Sequence, residues 1–157
     1  MKKTLLGTIL LSMTLQAGFL DSVMSTVSSM TGSNQEQTQQ NESLIENVKK
    51  ETGLSTTQTM GAIGTLLGYA SNNTSKSDYD KVTNSVSGLG SFTNSATISP
   101  IISSLTSSEM VQSSLKSFGI DPSLVQTIVP ILVNYVTKQG GEESGSIISN
   151  ALSGLLK

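Results

Sequence analysis

The chain has 157 residues, a formal net charge of −2, no cysteine, no histidine and no tryptophan, and all nine of its basic residues are lysines. Disulfides, thiolate or imidazole metal sites and histidine general bases are therefore excluded, and nucleic acid is a poor match for an acidic chain without arginine. Few residues are charged, 13% in all, and serine, threonine, asparagine and glutamine dominate the polar positions.

Residues Met1–Ala17 have the order of a secretory signal peptide. Lys2 and Lys3 form a basic start, and Thr4–Leu15 is an apolar run too short to span a bilayer comfortably. Cleavage is expected after Ala17, although Leu15 is larger than the small residue usual three positions before the cut. The absence of cysteine rules out lipoprotein anchoring, so the periplasm or secretion is the expected destination. Phe19, Val23, Val27 and Met30 recur at helical spacing and predict a short amphipathic helix. Thr31–Asn41 has no apolar residue and reads as a flexible polar linker, so residues 18–41 precede a helical domain over 42–157.

Within that domain, Leu44, Ile45 and Val48 predict a helix that stops at Gly53. Ser55 is placed to cap a second helix, whose apolar stretch is Met60–Ala70. Ser71–Lys76 predicts a turn and Ser77 a third cap, with Asp78 and Asp80 near the positive helix start and Val82, Val86 and Leu89 inward. Gly90–Pro100 is expected as a loop that tucks Phe92 and Ile98 into the core. A helix starting near Ser107 or Ser108 turns Val111, Leu115 and Phe118 inward and ends at Gly119. Asp121 and Pro122 then open the most apolar helix past the N-terminus, expected to be buried on several sides and to end at Gly140 and Gly141. Pro130 cannot donate to the carbonyl of Gln126, so a kink is expected there. Ser144–Lys157 closes the chain with Ile147, Ile148, Ala151, Leu152, Leu155 and Leu156. No run alternates with period two, so the expected class is all-α, a compact helical bundle.

An offset of about 66 residues lays the second half on the first without a gap, as two pseudo-repeated three-helix units over 42–91 and 108–157. Leu44 and Ile45 meet Met110 and Val111, Gly53 meets Gly119, and cap Ser55 meets cap Asp121. Ile63, Leu66 and Tyr69 meet Val129, Leu132 and Tyr135, and Val82, Val86 and Leu89 meet Ile148, Leu152 and Leu155.

The stretches GYASNN (68–73), SDYDKV (77–82), SGLGS (87–91), SFGIDPSLVQTIVPILVNYV (117–136) and ALSGLL (151–156) carry a further signal. Together they resemble the VcgC/VcgE-type family of small exported bacterial proteins of unknown function, from about Leu44 to the C-terminus. Ser87-Gly88-Leu89 stands where that family often has Pro-Gly-Leu. The resemblance implies an exported helical protein and assigns no active-site residue.

Motifs with chemical potential are few. Ser113-Ser114-Leu115-Lys116 fits the Ser-x-x-Lys pattern of acyl-enzymes but lacks the Ser-Asp-Asn and Lys-Thr-Gly elements that accompany it. Asn72, Asn73, Asp78 and Asp80 lack the spacing of a calcium loop. Asn41-Glu42-Ser43 and Asn73-Thr74-Ser75 are glycosylation sequons of the kind such a composition produces freely. Gly61, Gly64 and Gly68 are the informative oddity, because each interior glycine costs a helix about 1 kcal/mol against alanine. Their spacing predicts close approach by another helix, since eleven apolar residues are too few for a membrane dimer. The expectation is a non-enzymatic structural or interaction module of the cell envelope without catalytic, cofactor or metal residues. Any protein partner and the oligomeric state stay open. The alternative is a membrane-active or lipid-binding bundle whose apolar helices open to meet a bilayer.

Overall fold

The computed structural model describes residues 35–157. The expected signal peptide, the Phe19–Met30 helix and the start of the polar linker lie outside the described residues. Six α-helices and three short 3-10 turns follow, with no strand among the described residues, so the chain is all-α. They are α1 (Gln35–Thr52), α2 (Thr56–Asn72), α3 (Lys76–Ser85), α4 (Leu89–Thr93), α5 (Ser108–Ser117) and α6 (Val125–Leu152). The 3-10 turns cover Ile102–Ser104, Pro122–Leu124 and Ser153–Leu155.

The first helix begins at Gln35, not at Glu42, so Gln35–Asn41 of the expected linker is helical. Glutamine and glutamate are good helix formers even without an apolar face, and the turns that follow anchor them. Gly53, at φ +70°, ends α1. Ser55 and Gln58 then form a capping box, with the Gln58 amide N–H donating to Ser55 Oγ (3.3 Å) and the Ser55 N–H to Gln58 Oε1 (3.1 Å). The third cap is Ser75, two residues before the expected Ser77: its Oγ accepts from the Asp78 N–H at 3.1 Å. Starting at Lys76 places Tyr79, Val82 and Val86 along one face toward the core. The expected turn at Ser71–Lys76 is accordingly shorter, because α2 continues to Asn72.

The expected loop over Gly90–Pro100 contains α4 and a series of tight turns, and both Phe92 and Ile98 are buried as expected. Ser107 caps α5, with Val111 and Leu115 fully buried and Phe118 partly so. Gly119 (φ +69°) closes α5, as the Gly119 N–H donates to Lys116 O and the Ile120 N–H to Leu115 O, both at 2.9 Å.

The most apolar helix is buried on several sides as expected, packing on α1, α2 and α3, but it is not the most enclosed. The helix enclosed all round is α2, in which every residue from Gly61 to Ala70 is buried. On α6, Gln126, Pro130, Asn134 and Lys138 are exposed at four-residue spacing and form a solvent stripe. The backbone also stays helical through Pro130, and the break comes at Gly141 (φ 84°, ψ 172°). Pro130 and Gln126 both face solvent, so the carbonyl that loses its partner is reachable by water. Gly141 takes a conformation almost closed to other residues and divides α6 into arms 125–140 and 142–152. The arms turn back on each other closely enough that a side chain on Gly145 would collide with Thr137.

Packing follows from these faces. α2 lies against α1, α4, α5 and α6, α1 packs on α6, and α3 packs on α6 near the bend. There Ser85 Oγ and Ser144 Oγ share a hydrogen bond of 2.7 Å, and Lys81 bridges Asp78 (3.3 Å) and Glu143 (3.1 Å). The three glycines of α2 are met partly by helix ends and partly by the stretch that connects them. A Cβ on Gly68 would stand 2.8 Å from Leu105 Cδ1, and one on Gly61 would stand 3.1 Å from the Phe118 ring. Gly64 faces Ile98 and the carbonyl of Phe92, at the end of α4. The connecting stretch between α4 and α5 uses the space at Gly64 and Gly68, beside the end of α4, and Phe118 at the end of α5 uses that at Gly61.

Candidate functional site

The serine and lysine of the Ser-x-x-Lys match do not form a catalytic pair. Ser113 and Lys116 are exposed on α5 and make no hydrogen bond to each other. Ser114 instead points inward, its Oγ 3.2 Å from Thr65 Oγ1 on α2. A nucleophile needs a base within hydrogen-bond reach, and no hydrogen bond links Ser113 to Lys116.

The asparagines and aspartates around the second turn are likewise dispersed. Asn72 Nδ2 donates to the carbonyls of Ile102 (2.5 Å) and Leu105 (3.1 Å), and Asn73 Nδ2 to that of Tyr69 (2.9 Å). Asp80 pairs with Lys76 at 3.0 Å. Asp78 accepts from Ser75 Oγ at 2.8 Å, and that bond with the nearby Lys81 ammonium holds its carboxyl below the usual range. Each group serves a cap, a turn or a surface pair. Among the described residues, no three Asp or Glu side chains gather as a metal site would require.

Gln58 was not singled out by the sequence, yet it joins two helix ends. Besides completing the α2 capping box, its Nε2 donates to the carbonyls of Phe118 (3.3 Å) and Gly119 (3.1 Å) at the close of α5. Buried hydroxyls are few. Thr59 Oγ1 and Tyr79 Oη have no well-formed hydrogen bond, and burial pushes the Tyr79 phenol up to about 12 despite Thr93 nearby. These are packing positions with no reactive neighbour.

The surface feature with most potential is a groove of about 380 Å³ between α1 and the first arm of α6. Asn47, Lys50 and Glu51 supply one wall, Asn134 and Lys138 the other, and Ile131 and Tyr135 lie at its base. Tyr135 is largely buried, which raises its phenol above the ordinary value. Lys50 and Lys138 make no ion pair among the described residues. A second hollow of about 410 Å³ lies in the elbow of α6, between Val133 and Thr137 on one arm and Gly145, Ser146 and Ser149 on the other. The groove was not legible in the sequence, because its walls come from segments some eighty residues apart and no motif marks either.

A family model described as protein of unknown function VcgC/VcgE matches residues 8–153, nearly the whole chain. The chain belongs to the VcgC/VcgE family. No curated protein and no solved structure matches it. The resemblance drawn from Leu44 onward thus extends over this VcgC/VcgE protein almost from its start, and the family brings no site residue with it.

Proposed function

We propose that this VcgC/VcgE protein is an exported, non-enzymatic structural or interaction module of the cell envelope, built from a duplicated three-helix unit. The observation that carries the reading is where the polar side chains go. Serine, threonine and asparagine groups are committed to caps and backbone carbonyls, as at Ser55, Ser75, Ser107, Asn72 and Thr137, and stabilise a scaffold. Export rests on Lys2, Lys3 and the apolar run that follows them.

The duplication is supported by paired geometry. Gly53 and Gly119 have φ of +70° and +69°, and Ser55 and Asp121 both accept a capping N–H. Tyr69 and Tyr135 are each 7% exposed, and Leu66 with Leu132 and Val82 with Ile148 are fully buried. The leading helices each pack on the second helix of the other half, α1 on α6 and α5 on α2, and α1 also touches α2. One part of the gapless pairing needs a shift of a residue: Leu44 is buried while Met110 is 51% exposed, so the buried pairs are Leu44 with Val111 and Val48 with Leu115.

The test is fractionation with N-terminal sequencing, followed by photo-crosslinking in the intact envelope. Mature protein beginning near Gly18 and crosslinked to a discrete partner is the expected result. Full-length chain confined to the cytosol would sink the export part. Flotation with liposomes in place of a protein crosslink would favour the lipid-binding alternative. Among the described residues no helix is long and apolar enough to cross a membrane.

A further inference from the structure

In each half of the duplicated unit, the second helix has one face that its own half does not bury. On α2 this face carries Gly61, Gly64, Gly68 and Asn72, and it is covered. Ile98, Ile102 and Leu105 of the connecting stretch lie on Gly64 and Gly68, the Phe118 ring lies on Gly61, and Asn72 fastens the cover by donating to the carbonyls of Ile102 and Leu105. The corresponding positions on α6 are Thr127, Pro130, Asn134 and Lys138. Thr127 is half-buried and Pro130, Asn134 and Lys138 are exposed, and Thr127, Asn134 and Lys138 line the 380 Å³ groove against α1.

The chemistry of the fastening residue differs between the halves. Asn72 is neutral and suits a carbonyl, whereas Lys138 is cationic and has Lys50 across the same groove. Neither lysine has an ion-pair partner among the described residues, and Glu51 is the one acid in the lining. Two such ammonium groups match a carboxylate far better than a carbonyl, because a charge-assisted hydrogen bond is roughly twice as strong as a neutral one. At the base, Ile131 and Tyr135 offer apolar contact, and the amides of Asn47 and Asn134 can both donate and accept, as a peptide backbone requires.

We infer that this groove docks an acidic peptide segment of a partner protein, with an aliphatic side chain on Ile131 and Tyr135 and a carboxylate between Lys50 and Lys138. The inference rests on the duplicated interaction-module reading, in which the covered face of the first half shows what kind of occupant such a face takes. So small a groove holds only a few residues, and the affinity expected is weak, with a Kd of about 0.1–1 mM.

The experiment titrates the isotope-labelled full chain, followed by amide chemical shifts, with acetyl-Leu-Asp-Leu-amide and with its Leu-Asn-Leu counterpart. The acidic peptide should shift the amides of Ile131, Asn134 and Lys138 saturably, and the neutral one should bind at least about tenfold more weakly. Lys50→Gln and Lys138→Gln should each weaken binding severalfold with unchanged thermal unfolding, while Lys116→Gln, outside the groove, should not. No shift at these residues at about 10 mM peptide, or equal responses to both peptides, would overturn the proposal. Groove shifts produced by phosphatidylglycerol vesicles and not by the peptide would overturn it in favour of a lipid surface. An envelope partner crosslinked elsewhere would overturn the groove and leave the interaction-module reading standing. Peptide binding with no crosslinked partner would uphold the groove and count against the interaction-module reading.

Discussion

A Cβ on Gly64 would stand 2.7 Å from Ile98 Cγ1 and 2.8 Å from the carbonyl oxygen of Phe92. The isoleucine has some freedom to turn aside, but the carbonyl is fixed in the backbone of α4. Gly64→Leu is therefore expected to destabilise the protein by about 1–3 kcal/mol of overpacking, outweighing the roughly 1 kcal/mol that a better helix former returns. Gly90→Ala, which would meet only Asn94 Nδ2 at 3.9 Å, should leave the thermal midpoint unchanged or raise it slightly. A raised midpoint for Gly64→Leu would contradict the close contact. Asp78 supplies the pH-dependent case. Its carboxyl is held below the ordinary value by Ser75 and then Lys81, so the folded state favours the charged form. That contribution is complete above the unfolded pKa of about 3.9 and fades as pH falls through the lower folded value. The gap between thermal melts of the parent and Ser75→Ala should narrow from neutral to strongly acid pH, leaving at the acid end, where Asp78 is protonated in both, only the loss of the Ser75 cap on the Asp78 N–H. A difference that persists undiminished below both pKa values would mean that Asp78 is not the group responsible.

Helix stops and starts were the most legible elements. Gly53, Ser55, Ser107, Gly119 and Asp121 all act as their residue types indicate, because caps depend on backbone conformation within a few residues. Ser75 and Ser77 show where that locality fails. Each is followed three residues later by an aspartate, and only the burial of Val82 and Val86 with Tyr79 beside them selects Ser75. Proline and glycine in α6 show the same thing from the other direction: Pro130 has a solvent-facing site that tolerates it, while Gly141 sets the path of the chain. At Gly141 the combination of φ 84° and ψ 172° is open to little but glycine. Gly141→Ala should cost about 1–3 kcal/mol although nothing lies within 4 Å of the added methyl and alanine is the stronger helix former. Chemical denaturation measures this, and a stabilised variant would mean that the two arms can straighten into one helix.

On the scale of the whole molecule, apolar pattern indicated an all-helical chain but did not reveal that α2 is the helix enclosed all round. The first arm of α6 has the larger side chains, with Val129, Leu132 and Val136 among them, whereas α2 has three glycines. Enclosure depends on what surrounds a helix, and small residues admit more neighbours than large ones do. The connecting stretch over Ile98–Leu105 fills that space with turns and a 3-10 segment, which periodicity cannot reveal. The α1–α6 groove stayed hidden for a related reason, since an opening is defined by what two distant segments fail to cover. The burial of α2 has a consequence for how its amide hydrogens trade with solvent. A helix enclosed by α1, α4, α5, α6 and a folded-over strap has no exposed flank from which to unzip, so protons along 63–70 should exchange only when the entire chain opens. Deuterium uptake there should fall with denaturant along the same line as the global unfolding free energy, while the more exposed α3 exchanges through smaller openings. If 63–70 took up deuterium sooner than 128–136, the strap would be lifting on its own. Otherwise a single peptide from α2, followed by mass spectrometry after cells are moved into heavy water, would report the folding free energy of the protein with no probe attached to it.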